Sequence, residues 1–176
     1  MAKRSRRAGL VLLGAVALVV FALDQLAKFL VIHFLNEGDV VAVLGPVLQF
    51  HFVRNSGAAF SLASGMTWVL TALAVVVVAA VLWAAPRIHS TAWAVMFGLL
   101  LGGVLGNLTD RLFREPGFGV GHVVDFIQMP WLLPAIWNLA DMAILGAMAV
   151  FLVLNIRGIK LDGSRSHDAS QASTPQ

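Results

Sequence analysis

Hydrophobic residues make up 59% of this 176-residue chain and charged residues only 12%, with a mean hydropathy of +0.86. A soluble domain of this size has no interior large enough for that much apolar surface, so the chain reads as an integral membrane protein. Cysteine is absent, which excludes disulfides, thiolate nucleophiles and cysteine-based metal sites, and the net charge of +3 sits in short basic clusters beside hydrophobic stretches rather than along the polar face a nucleic acid would need.

Four stretches reach the roughly 20 residues that a helix needs to cross hydrocarbon. They are Leu10–Phe34, Thr67–Ala85, Thr91–Leu108 and Ile136–Ile156. The first follows Lys3, Arg4, Arg6 and Arg7, a start shared with secretory leaders. Its apolar run outlasts the about 7 to 15 residues of a leader, contains Asp24 and Lys28 and has no small-residue cleavage box, so it reads as a retained helix. In the loop that follows, about 33–66, Val41, Val43, Leu48, Phe50 and Phe52 alternate with Ala42, Gln49, His51 and Val53 around a Gly45-Pro46 turn, which predicts a short hairpin at the membrane surface. Arg87 separates the second and third helices, and the third carries Gly98, Gly102 and Gly106, small residues at the spacing that lets a neighbouring backbone approach. The second long loop, about 113–135, is broken by Pro116, Gly117, Gly119, Gly121, Pro130 and Pro134, a loop shaped for a site, with Trp131 and Trp137 as interface anchors. Arg157, Lys160 and Arg165 follow the fourth helix.

The expected fold is an all-α membrane protein, a four-transmembrane-helix bundle with a small β-rich outer subdomain in the first outer loop. Residues 1–160 form a single integral membrane catalytic domain, and 161–176, poor in large apolar residues, a disordered cytoplasmic tail. The basic clusters place both termini inside and the two long loops outside. No feature of the sequence requires an oligomer, so a monomer is expected.

With that orientation the scattered polar residues fall at one depth. Asp24 and Lys28 lie in the outer half of the first helix, Asn107, Asp110 and Arg111 at the outer end of the third, and Asn138 and Asp141 near the outer start of the fourth, each group spaced to share one helix face. Asp125 enters the same layer from the loop. A charge in hydrocarbon costs roughly 2.5–3.5 kcal/mol on the gentlest insertion scale, so carboxylates here need a reason, and acid/base catalysis by the Asp125/Asp141 pair is one. Plainer readings stand beside it: Asp24 and Lys28 as a helix ion pair, Asp110 and Arg111 as an interfacial cap, Asn138 as the N-cap of the fourth helix with Asp141 held by the helix dipole. None of these accounts for Asp125. His33, His51, His89 and His122 are too scattered for a metal cluster, and no metal or cofactor is expected.

Five blocks in order, Asp24-Gln-Leu-Ala-Lys28, Asn55-Ser-Gly-Ala-Ala-Phe-Ser61, Gly106-Asn-Leu-Thr-Asp-Arg111, Val123-Val-Asp-Phe126 and Trp137-Asn-Leu-Ala-Asp141, resemble the lipoprotein signal peptidase family, or signal peptidase II, bacterial intramembrane aspartic peptidases. The resemblance spans nearly all of the chain from the first helix to the fourth. It implies Asp125 and Asp141 as the catalytic dyad, Asn55, Gly57, Asn107, Arg111, Asn138 and Ala140 as residues that shape or hydrogen-bond the substrate cleft, and supporting places for Asp24, Lys28 and Asp110. Trp137 departs from the phenylalanine usual before the Asn-x-Ala-Asp segment. The implied substrate is a prolipoprotein whose cysteine already carries diacylglycerol, cleaved just before that cysteine in the bacterial cytoplasmic membrane, with membrane lipid as the other partner and no nucleic acid. Two rival classes are a small proton-coupled transporter relaying protons through Asp24, Lys28, Asp110 and Asp141, and a non-catalytic lipoprotein binder. Against the transporter, the ionisable residues gather at one face and no internal repeat relates the helix pairs. Spacing alone does not separate the binder from the peptidase.

Overall fold

The computed structural model describes residues 2–57 and 66–165, with side chains from residue 7 onward. The elements run α1 (Ala2–Phe34), β1 (Val40–Ala42), β2 (Gln49–Asn55), α2 (Thr67–Ala84) with a 3₁₀ turn at Ala85–Arg87, α3 (Thr91–Phe113), β3 (Val123–Gln128), β4 (Ile136–Trp137) and α4 (Leu139–Ile156). The side chains of Lys3, Arg4 and Arg6, the Ala58–Ser61 part of the second block and the tail from 166 lie outside the described residues.

All four helices are long and apolar enough to cross a membrane. Three of them turn bulky apolar side chains outward: Val11, Leu18 and Phe29 on α1, Leu73 and Trp83 on α2, Leu145 and Leu152 on α4 are each more than half exposed. Such a surface belongs against lipid. Helix α3 is the exception, buried along most of its length and packed against the other three. Its glycines make this possible. A Cβ on Gly98 would lie 2.7 Å from Val16 Cβ, and one on Gly102 2.6 Å from the Ala17 carbonyl, so the small-residue face expected from the sequence receives α1. Gly103 does the same for α4, where a Cβ would meet the Ala140 carbonyl at 2.5 Å.

One antiparallel sheet, in the order β1-β2-β3-β4, covers the end of the bundle where α1 and α3 finish and α4 begins. The first outer loop supplies β1 and β2, with Val41 opposite Phe50, and the second outer loop supplies the other two strands, with Val53 opposite Asp125 and Ile127 opposite Trp137. The sheet therefore extends beyond the hairpin read from the first loop. Its inner face places Phe52, Val124 and Phe126 against Val31 of α1 in a buried cluster that Ala27 and Leu139 flank.

Helix α1 begins at Ala2, ahead of the expected Leu10, and at the polar layer two further helix ends differ from the sequence expectation for physical reasons. Helix α4 starts at Leu139 rather than Ile136, because Asn138 takes extended backbone and caps it in a reciprocal box with Asp141, leaving Ile136 and Trp137 to pair as a strand. Helix α3 runs on to Phe113 because the polar residues after Leu108 find partners inside the protein. Residues Ile159–Arg165 fold back in a tight turn closed by an Ile159–Arg165 bridge.

Candidate active site

Beneath the sheet lies a buried ion network. Asp24 and Lys28, one turn apart on α1, are both fully buried, and Lys28 Nζ sits 2.9 Å from Asp24 Oδ2, 2.8 Å from Asp110 Oδ2 and 2.9 Å from Asn107 Oδ1. Each carboxylate in this layer has a second task. Asp24 Oδ1 accepts from the Ala140 backbone N–H at 2.9 Å, which ties α1 to the start of α4. Asp110 Oδ1 accepts from Arg114 Nε at 2.6 Å, and its Oδ2 accepts from the Val124 N–H at 3.2 Å, which ties α3 to β3. Gln25 adds a bridge from Asp24 Oδ2 to the Gly106 carbonyl. Buried charges persist only when paired and hydrogen-bonded in this way. The Asp24–Lys28 ion pair and the bracing of the upper layer are one arrangement.

Asp125 and Asp141 lie above this network and meet at Asn138. The Asn138 side-chain amide donates to Asp125 Oδ1 at 2.6 Å, while its backbone N–H donates to Asp141 Oδ2 at 3.2 Å and its Oδ1 accepts from the Asp141 N–H at 2.9 Å. Asp125 Oδ2 accepts from Asn55 Nδ2 at 2.8 Å, and Asp141 Oδ1 from Asn107 Nδ2 at 2.8 Å. Asn107 is itself oriented, since its Oδ1 accepts from both Lys28 and Asn138. Asp125 stands on β3 rather than in a loop, so sheet pairing fixes its position. Burial pushes its carboxyl up to about 7; the Asn55 bond opposes this, and the nearby charge of Asp141 adds to it.

Gly57 adopts a left-handed backbone, φ +86°, and its N–H donates to Asn55 Oδ1 at 2.8 Å, leaving the Asn55 amide for Asp125. Arg111 donates Nη1 to the Asn107 carbonyl at 3.3 Å, while its buried Nε has no partner among the described residues. It stands with Asn107 at the head of a cleft of about 210 Å³ between α2, α3 and α4, otherwise lined by apolar side chains such as Leu70, Val77 and Ile144. A second apolar groove, lined by Ile136, Trp137, Leu145 and Met148, reaches Asp141 from the other side of α4. Trp137 is thus part of a groove wall. Ala140 is fully buried against Gly103 and Gly106, so it sets how closely α4 approaches α3.

The structure brings Asp24, Lys28, Asn55, Gly57, Asn107, Asp110, Arg111, Asp125, Asn138, Ala140 and Asp141 together at one end of the bundle. Sequence reasoning passed over Arg114 and Gln25, although Arg114 stands four residues after Asp110, the spacing of a helix pair. Among the described residues no group of three or more His, Asp or Glu side chains is placed to hold a metal ion.

These features define a multi-pass membrane protein with a carboxylate pair, Asp125 buried and Asp141 half-buried, at one end of its bundle. Residues 16–157 match the family described as signal peptidase (SPase) II. The chain is 63% identical over 159 residues to the lipoprotein signal peptidase of Leifsonia xyli subsp. xyli, covering 90% of this chain and 73% of that protein. It is 45% identical over 151 residues to the lipoprotein signal peptidase of Mycobacterium avium, covering 86% and 82%. A bacterial membrane enzyme solved by the in meso method at 2.3 Å resolution shares the fold at a TM-score of 0.72 and 23% identity, over 92% of each chain. The chain belongs to the signal peptidase II family. Membership makes it a membrane-embedded peptidase.

Proposed function

We propose that this peptidase removes the signal peptide from diacylglyceryl-modified prolipoproteins, cleaving just before the lipidated cysteine, with Asp125 and Asp141 as its catalytic pair. The observation that carries this reading is the sharing of Asn138 by the two carboxyls, with Asp141 lining one apolar groove and its donor Asn107 lining another between membrane-spanning helices. A lipidated peptide reaches such a site sideways from the bilayer, its acyl chains against Leu70, Val77 and Leu145 and its scissile amide at the polar layer.

Two coupled carboxyls share one proton near neutral pH. The ionised member takes a proton from water as the water oxygen bonds to the amide carbon. The protonated member donates to the carbonyl oxygen, and the tetrahedral intermediate collapses as the C–N bond breaks and the departing amine takes up the proton removed from water. The pair titrates as a unit, so the roles of base and acid belong to the dyad. Asn55, Asn107 and Asn138 hold both carboxyls in place, and Arg111, whose guanidinium lines the cleft beside Asn107, offers N–H donors to a substrate carbonyl. Arg7, Arg87, Arg157, Lys160 and Arg165 at the opposite end of the bundle support an inward placement of both termini and an outward placement of the site.

The test is cleavage of a diacylglyceryl-modified prolipoprotein by purified protein, comparing wild type with Asp125→Asn and Asp141→Asn. Both substitutions should abolish turnover while substrate binding persists. Cleavage by either variant at wild-type rate removes that residue from the chemistry. Substrate binding without turnover by the wild type would make the protein a binder.

A further inference from the structure

At the end of the bundle opposite the carboxylates, the chain leaving α4 folds back onto the α2–α3 connection. The His89 and Ser90 N–H groups both donate to the Leu161 carbonyl at 3.0 Å, and Trp93 Nε1 donates to the Ile159 carbonyl at 3.0 Å. Basic residues that serve only to set topology need no such ties, since they act by their number near the helix ends.

The fold-back borders an open cleft of about 730 Å³ whose lining includes Arg87, His89, Trp93, Lys160, Leu161 and Asp162. Arg87 is pre-positioned there: its guanidinium stacks 3.9 Å from the Trp83 ring centroid, and Nη1 donates to the Trp83 carbonyl at 2.6 Å, which uses one of five N–H donors. His89 Nδ1 lies 3.0 Å from the Arg87 carbonyl, an acceptor, so that nitrogen carries a proton. The acid in the lining, Asp162, is engaged by its own turn, where Oδ1 accepts from the N–H and Oγ of Ser164. The cleft lies where α2 and α4 end and α3 begins; Trp83, stacked on Arg87, and Ile156, the residue after Asn155 of the lining, are 70% and 85% exposed.

We propose that this cleft binds the phosphate of an anionic phospholipid headgroup, with Arg87 and Lys160 as its charge partners and the acyl chains running along the apolar rim at Trp83 and Ile156. Basic pockets between helices at the membrane surface recognise headgroups by this combination of charge and adjoining hydrocarbon. The site shares no residue with the carboxylate layer, so it stands independently of the proposed cleavage reaction.

The test uses the full chain purified in an uncharged detergent and titrated with short-chain phosphatidylglycerol, short-chain phosphatidylcholine or soluble glycerol phosphate, reading the thermal unfolding midpoint. Phosphatidylglycerol should raise the midpoint saturably and the other two should not. Lys160→Gln, at an exposed side chain, should raise the half-saturating concentration about fivefold, the change expected from roughly 1 kcal/mol per basic residue, and Arg87→Gln should do the same. Arg157→Gln, at the same end but outside the lining, should leave it unchanged. No saturable shift, an equal response to glycerol phosphate, or an equal effect of Arg157→Gln and Lys160→Gln would overturn the proposal. The last outcome would reduce it to diffuse surface charge.

Discussion

Burial pushes the Asp125 carboxyl up to about 7, and this has two separable consequences. The first concerns turnover. The proposed mechanism needs one proton on the pair, so kcat/KM should fall tenfold per pH unit above about 7 as that proton is lost. The Asn55 bond favours the ionised carboxylate, so Asn55→Ala should move the alkaline limb to higher pH; a limb that stays in place would separate Asn55 from the titration. The second concerns stability. Because the folded-state value is raised, the native protein holds a proton that the unfolded chain has already released, and stability declines as pH rises from the ordinary aspartate range through about 7. The slope is at most about 1.4 kcal/mol per pH unit from this group. Asp125→Asn should flatten that decline in denaturation measured across pH, even though it abolishes turnover.

Helix α3 depends on its glycines in a way that a change of one methyl group should reveal. Gly102→Ala would put a Cβ 2.6 Å from the Ala17 carbonyl and 2.7 Å from Val20 Cβ, backbone and branched carbon that have little room to move. We expect a loss of about 1–3 kcal/mol in unfolding measured in detergent. Gly14, on α1, has no atom within 4 Å of the corresponding position, so Gly14→Ala should be neutral or gain roughly 0.5–1 kcal/mol from helix propensity. Gly106→Ala is expected to act on the site as well. Its Cβ would meet Asp24 Oδ2 at 2.5 Å and disturb the carboxylate that holds the Ala140 N–H at the first turn of α4. Activity should therefore fall further than the stability loss accounts for.

Across the whole molecule, the Lys28 layer is the joint on which the parts converge. One ammonium holds Asp24 of α1 and Asp110 of α3, and these in turn hold α4 through Ala140 and β3 through Val124. Lys28→Met would leave two carboxylates facing each other without their cation, a loss of about 3–5 kcal/mol as in other broken buried pairs. It would also remove a donor from Asn107, the residue that bonds Asp141. We expect markedly lower folded yield, and in whatever folds, a changed pH profile of cleavage. An unchanged profile would confine Lys28 to a packing role.

The sequence by itself determined the membrane class, the four helices and the helix-borne or helix-capping polar residues Asp24, Lys28, Asn107, Asp110, Arg111, Asn138 and Asp141, because hydropathy runs and i,i+3/i,i+4 spacing are local and survive without any knowledge of packing. The same spacing placed Asp24 with Lys28 and Asn138 with Asp141 before either pair was seen to bond. Tertiary structure decided what local pattern has no means to express. The strand around Asp125 pairs with residues about 70 positions earlier, through contacts such as Asn55 to Asp125, and no periodicity in Val123–Gln128 announces that partner. The same is true of Asn138, which reads as a helix cap and proves to join both carboxyls, because its two functions point to elements that only folding brings together. The turn that carries Lys160 to Arg87 likewise rests on backbone hydrogen bonds to Leu161, which any residue type can accept and which therefore leave no mark in the sequence.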